Sequence, residues 1–349
     1  MSGLNFTSKK IGIVGSGGIV QSGHLPSYRT AGFSVAAIFD TNYERASSVA
    51  REFGIAKVCG ELGELLEDPA IDVVDIAVPA AHQPAIVLAA LQYGKHLLCQ
   101  KPLAVTHAEA EPLVHAAEAS RVKLAVNVNM RWEPAMREAA RLIRQGDIGE
   151  LCSTVFEVKY YENWASWPWL VPSSRLVLLY DAIHILDIVR TLMGEPQAVE
   201  SRYGRGADDE VAGETWADAH ITFGGGRSAR LDEDSRMRPE ETSVTFRFEG
   251  DTGLITGMLG LYYDYPVGRA DSIKLVPKGM AEERVPMQTL PGRWIPDAFS
   301  ETMRVLLTAI ETGAEPENSG DDHLKTLRLV DSIYDASRME IRKHRQESR

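Results

Sequence analysis

Three parts of this chain carry residue types and spacings suited to chemistry. Lys101 stands one before the end of the run from Gly94 to Pro102, just beyond a strand-like apolar stretch. Ligands of open parallel sheets bind past the carboxyl ends of strands, and a proline restricts the backbone of the residue before it. An ammonium held there can stabilise negative charge developing on an oxygen. Asp181 and His184 fall within Leu179 to Arg190, which reads as an amphipathic helix; a spacing of three puts them on one face. A carboxylate near an imidazole can fix the tautomer that general base catalysis requires. An isolated pair of this kind is more often a hydrogen-bonded histidine packed in a core, so its place in the fold has to decide.

The third part is Gly15-Ser16-Gly17-Gly18-Ile19-Val20, which follows a strand and opens a helix. Glycines in such a turn bring backbone N–H groups against a pyrophosphate, whose charge the helix amino terminus favours. Val20 stands where a small residue is usual, so the fingerprint is imperfect. Asp40 ends the second strand about two dozen residues on, where a carboxylate accepts from the adenosine ribose hydroxyls and repels a 2′-phosphate. The pattern favours NAD over NADP, with Arg45 one helical turn away as the opposing feature. Expected cofactor contacts are Gly15, Gly17, Gly18, Ile19, Asp40, Val78, Pro79, Gln83, Gln100 and Lys101.

Two domains are expected of 349 residues: a dinucleotide-binding domain over 1–130 and a substrate and oligomerisation domain over 131–349. In the first, strands Ile11–Gly15, Ser34–Asp40, Val73–Val78, His96–Gln100 and Leu124–Val128 alternate with helices, a doubly wound parallel α/β sheet. Thr106 and Glu109 have capping-box spacing before one of these helices. In the second, a helix over Pro134–Gln145 leads into strands without crossover helices, so an α+β domain with a mostly antiparallel, open-faced sheet is expected. Helices over Asp297–Thr312 and Asp322–Lys343 close the chain. The net charge of −12 opposes nucleic-acid or anionic-membrane partners. Cys59, Cys99 and Cys152 lack zinc or redox spacing and read as core thiols. No metal site is indicated. With no leader and no apolar span, the chain is expected to be cytoplasmic.

The segments Ala89–Ala104, Arg131-Trp-Glu-Pro134, Gly146–Leu151 and the histidine helix ending in Gly194-Glu-Pro196, together with the glycine turn, resemble the glucose-fructose oxidoreductase, inositol dehydrogenase and rhizopine-catabolism (Gfo/Idh/MocA) family over essentially the whole chain. The resemblance implies a Rossmann domain, a second domain whose sheet often makes oligomer contacts, and oxidoreduction of sugars or polyols. A homodimer or homotetramer is the corresponding expectation. Three positions depart from the family pattern. Gln100 replaces the glutamate before Lys101-Pro102. Tyr180 occupies the usual place of the acid four before His184, leaving Asp181 at three. Gln83 falls where relatives often carry histidine.

The run Tyr160 to Trp169 holds Trp164, Trp167 and Trp169, three of six tryptophans. Aromatic faces cover the apolar C–H faces of sugars while flanking polar groups address hydroxyls; core packing explains such rings equally well. Substrate contacts are expected from Asn129, Tyr160, Trp164, Trp167, Arg175, Tyr180 and Trp294. The expected activity is hydride transfer between a nicotinamide and a secondary alcohol of a sugar or polyol. His184 would take the proton, Lys101 would hold the alkoxide, and Asp181 would orient the histidine or bind a neighbouring hydroxyl. An NAD-recycling epimerase, lyase or glycosidase is the alternative within enzymes. A non-catalytic NAD-binding subunit is the alternative outside them.

Overall fold

The computed structural model describes residues 6–342. They form two units: the chain up to Trp132 with Ile295–Lys325, and Glu133–Trp294 with the chain from Thr326 onward. Each unit has its own sheet.

The first unit runs through β1 (Lys10–Val14), α1 (Leu25–Ala31), β2 (Ser34–Phe39), α2 (Tyr43–Phe53), β3 (Lys57–Cys59), α3 (Leu62–Leu66), β4 (Val73–Ile76), α4 (Gln83–Gln92), β5 (His96–Cys99), α5 (His107–Ala119) and β6 (Leu124–Val126). All six strands are parallel, in the order β3-β2-β1-β4-β5-β6. Chain direction across the sheet reverses between β1 and β4, the switch point at which doubly wound sheets bind nucleotides. Strands β1, β4, β5 and β6 are almost wholly buried, as strands covered on both faces must be. Local chemistry sets the helix ends. The Asn42 side chain accepts Arg45 N–H at 2.9 Å to start α2, and Thr106 accepts Glu109 N–H at 3.2 Å to start α5. The α5 helix runs through Pro112, the sixth of its 13 residues. The strands stop one or two residues short of the expected bounds, so Gly15, Asp40, Val78 and Gln100 lie in loops at the carboxyl edge. Strand β3 and helix α3 were not expected.

The second unit continues with α6 (Pro134–Gln145), closed by Gly146 in the left-handed region at φ 80°. It goes on through β7 (Leu151–Lys159), α7 (Val177–Tyr180), α8 (Ile183–Met193), β8 (Ala198–Gly206), β9 (Trp216–Thr222), β10 (Ser228–Asp234), β11 (Ser243–Gly250), β12 (Gly253–Met258), β13 (Ser272–Pro277) and β14 (Gln288–Thr289). The chain then adds α9 (Phe299–Thr312) to the first unit, passes through α10 (Gly320–Asp335) and ends its described part in β15 (Glu340–Arg342). The nine-stranded order is β14-β13-β12-β11-β7-β10-β9-β8-β15. Neighbours are antiparallel except β7 with β10 and β8 with β15. Alternation sets the inner face: Phe156, Phe246 and Phe248 stack there at 5.2–6.4 Å between ring centroids.

Three expectations need correcting. Residues 295–325 return to the first unit, so the second is not an unbroken block from 131; Phe299, Met303, Leu306 and Leu307 of α9 are buried in the first unit. The last helix stops at Asp335 rather than Lys343, which lies outside the described residues. Cys152 is exposed on β7, while Cys59 and Cys99 are buried. Among the described residues no helix is long and apolar enough to cross a membrane.

Candidate functional site

In the first unit the glycine turn and Asp40 meet at the carboxyl edge of β1 and β2. Gly15 has φ 106°, and a Cβ there would lie 2.3 Å from the Ala77 carbonyl oxygen, so only glycine fits. A Cβ on Gly17 or Gly18 would meet nothing within 4 Å, so their backbone faces open space that a pyrophosphate can approach. Val20, unusual at its position, is buried beside Ile13, Leu25 and Tyr28 in the core. The chain from Val20 to His24 forms a π-turn ahead of α1. Asp40 is organised by four groups: Ser16 N–H at 2.7 Å, Ser16 Oγ at 2.8 Å, Asn42 N–H at 2.7 Å, and Arg45 at 2.8 and 2.9 Å. Burial raises its pKa, but the Arg45 guanidinium and the Asn42 and Ser16 donors outweigh that and hold the carboxyl below its usual range. The sequence foresaw Arg45 as a neighbour, not as a direct partner.

Lys101 follows β5, joined to Pro102 by a cis peptide. Gln83, buried at the start of α4, donates to the carbonyls of Gln100 at 2.9 Å and Pro102 at 2.7 Å. Its amide hydrogens thus brace the lysine loop rather than face outward. Gln100 Oε1 accepts Lys101 N–H at 3.0 Å. Val78 and Pro79 follow β4, and Asn129 lies buried three residues after β6. The expected first-unit residues therefore share one edge of the sheet.

The second unit gathers His184, Trp294, Tyr262, Tyr160, Asp181 and Glu233. His184 packs edge-on against Trp294 at 5.1 Å, Trp294 against Tyr262 at 6.2 Å, and Tyr262 against Tyr160 at 4.9 Å. The hydroxyls of Tyr160 and Tyr262 donate to the two oxygens of Asp181, the latter at 2.9 Å. Burial first, then the Asp181 charge, pushes both phenols well above their ordinary range. Glu233 on β10 is fully buried, and burial followed by the Asp181 charge pushes its pKa well up. A protonated Glu233 beside an Asp181 that takes two hydroxyls is the arrangement these shifts describe.

The helix expected over Leu179–Arg190 is broken. Asp181 lies between α7 and α8 at φ −122°, ψ −65°, so it does not share a helix face with His184. The break turns its side chain toward the phenols. Trp164 donates to Ser235 Oγ at 2.8 Å and Trp167 to Glu162 at 3.3 Å; with Tyr180 both pack on Leu170, Leu176 and Val211. Arg175 pairs with Asp331 and stacks over Tyr334 at 4.4 Å.

Sequence reasoning missed Tyr262, Glu233, His24 and Asp75. Two of them left a signal. Glu233 falls on the apolar side of the alternation Ala229, Leu231, Glu233, and Asp75 interrupts the apolar run of β4. A charge at an inward position of a strand costs free energy unless paired or neutralised, so it marks a built polar site.

Residues 9–128 match an oxidoreductase family with an NAD-binding Rossmann fold, and residues 136–256 match the GFO/IDH/MocA C-terminal domain. The chain is 30% identical over 328 residues to a D-apiose dehydrogenase of Paraburkholderia graminis, covering 92% of this chain and 86% of that one. It is 32% identical over 201 residues to a levoglucosan dehydrogenase of Pseudarthrobacter phenanthrenivorans, covering 55% and 51%. A solved oxidoreductase from Agrobacterium radiobacter, in complex with NAD+, L-tartaric acid and magnesium, shares the fold at TM-score 0.80 and 22% identity, covering 95% and 96%. A levoglucosan dehydrogenase in complex with NADH and L-sorbose does so at TM-score 0.79 and 23% identity, covering 94% and 96%.

Proposed function

Because the chain belongs to the GFO/IDH/MocA oxidoreductase family, we propose that it oxidises a secondary alcohol of a small sugar or polyol with NAD as the hydride acceptor. The observation that carries this reading is the first unit's carboxyl edge, where a glycine turn open to a pyrophosphate, an organised Asp40 and Lys101 follow β1, β2 and β5. Similarity to dehydrogenases named for apiose and levoglucosan supports the substrate class.

The turn residues Gly15, Gly17, Gly18 and Ile19 hold the pyrophosphate through backbone N–H groups. Asp40 takes the ribose hydroxyls, Arg45 giving up part of its pairing. Val78 and Pro79 border the nicotinamide. The bound nicotinamide supplies the hydride-accepting carbon. His184 takes the hydroxyl proton, with Trp294 limiting the water around it. Lys101 donates a charge-assisted hydrogen bond to the same oxygen as its charge develops. Asp181, held by Tyr160 and Tyr262, binds a neighbouring hydroxyl. Asn129, Trp164, Trp167 and Tyr180 border the sugar. In this reading the first unit binds cofactor, the second binds substrate, and the enzyme works in the cytoplasm as a homo-oligomer.

Lys101→Ala tests the assignment. NADH formation on a sugar and polyol panel should fall by about a thousandfold, an amount typical of removing a charge stabiliser, while NAD still quenches tryptophan fluorescence with unchanged affinity. Full activity in that variant sinks the assignment. Product without stoichiometric NADH would replace net oxidation by a recycling reaction.

A further inference from the structure

Beneath the Lys101 loop lies a run of buried polar side chains that the reaction above does not use. His24 and Asp75 are fully buried. His24 Nδ1 lies 2.7 Å from Asp75 Oδ2, which also receives the Tyr28 hydroxyl at 2.8 Å. On the other side of the ring, Nε2 lies 3.1 Å from Gln100 Nε2 and 3.3 Å from Asn127 Nδ2. Gln100 Oε1 turns the other way and accepts Lys101 N–H at 3.0 Å. The groups come from the π-turn before α1, from β4, and from the residues after β5 and β6. Phe299 of α9 packs on the ring at 5.0 Å, and the Cys99 thiol lies near Asp75, as the Tyr28 phenol does.

The orientation of Gln100 decides the form of the ring. A backbone N–H needs the amide's oxygen, so the amide's NH2 faces His24. Two NH2 groups then converge on Nε2, which has to offer its lone pair, and the ring proton lies on Nδ1 toward Asp75. A carboxylate at position 100 makes the opposite demand. One of its oxygens would serve Lys101 N–H, and the other would face Nε2, where a second ring proton would satisfy it.

We propose that Gln100 is a positioning residue for Lys101, tying the lysine's backbone to a His24–Asp75 pair whose protonated nitrogen the same amide selects. The inference rests on Lys101 as the group that holds the substrate oxygen. Gln83, bonded to the carbonyls on either side of the lysine, closes the brace from above. His24 also belongs to the segment that carries the glycine turn, nine residues after Gly15. The network thus joins the pyrophosphate turn to the lysine loop, two parts whose separation the reaction needs fixed.

Long-range proton–nitrogen spectra of the full chain carrying 15N-histidine read the ring without turnover. In the wild type His24 should show one protonated and one unprotonated nitrogen; in Gln100→Glu both should be protonated. An imidazolium in the wild type, or an unchanged pattern in Gln100→Glu, overturns the selection of ring form. Kinetics read the positioning. Gln100→Met, similar in size but without the acceptor, should lower kcat ten- to a hundredfold with KM within about threefold, while Gln100→Glu stays within about threefold of wild-type kcat. Asn127→Leu loses a donor to His24 and keeps the Lys101 bond, so it should hold kcat within about threefold. A drop equal to that of Gln100→Met would make core damage the cause and overturn the positioning role. Full turnover by Lys101→Ala would overturn the functional reading separately, and the ring spectra would stand.

Discussion

Glu233→Gln probes the carboxyl cluster beside His184. Glu233 is 1% exposed, and its carboxyl group meets that of Asp181. Burial, then the Asp181 charge, raises its pKa well above the ordinary carboxylate range. The folded chain therefore keeps a proton that the unfolded chain releases. Stability from this group is intact below the unfolded carboxyl pKa and is lost as pH climbs toward the raised folded value. While only the folded state holds the proton, each pH unit removes about 1.4 kcal/mol. That slope is large against the roughly 5–15 kcal/mol that holds a domain folded. Glutamine has the same shape and no proton to lose, so that slope should vanish. The variant should be no more stable than wild type near pH 4.5 and more stable by roughly 1–3 kcal/mol at pH 7.5. Urea unfolding followed by tryptophan fluorescence, repeated across that range, measures the difference. Parallel curves, or a variant that weakens faster as pH rises, refute the protonated Glu233.

Two further outcomes follow from the cofactor edge. Gly15→Ala forces a Cβ to 2.3 Å from the Ala77 carbonyl at φ 106°; it should cost about 3 kcal/mol or more and abolish NAD binding, and an unchanged unfolding midpoint would contradict this. With Asp40 taking the ribose hydroxyls as proposed, Asp40→Asn should weaken NAD about tenfold or more while narrowing the preference over NADP, as read by fluorescence titration of both nucleotides. Equal loss for the two nucleotides would remove Asp40 from the ribose site.

How much was legible beforehand differs between the two units. In the first, the signals are local: a glycine that must take a positive φ, apolar runs of strand length, and an acid at a strand end each act within a few residues. The parallel, doubly wound class of the sheet and the place of Gly15, Asp40 and Lys101 just past strand ends follow from such signals. Helix α6 was readable to its bounds, because Pro134 opens it and Gly146 closes it. The helix around His184 was not. Its apolar periodicity runs through Asp181, and only the pull of two distant phenols, Tyr160 and Tyr262, shows why the helix breaks there.

The sequence by itself determined the dinucleotide-binding architecture of the first unit. Tertiary structure alone decided that residues 295–325 complete the first unit, that Arg175 belongs with Asp331 and Tyr334, and that Gln100 meets His24 across 76 residues of chain. The reason is physical. Periodicity and turn chemistry are set by neighbours along the chain, whereas a buried polar group is satisfied by whatever partner the packed core brings to it, at any separation in sequence.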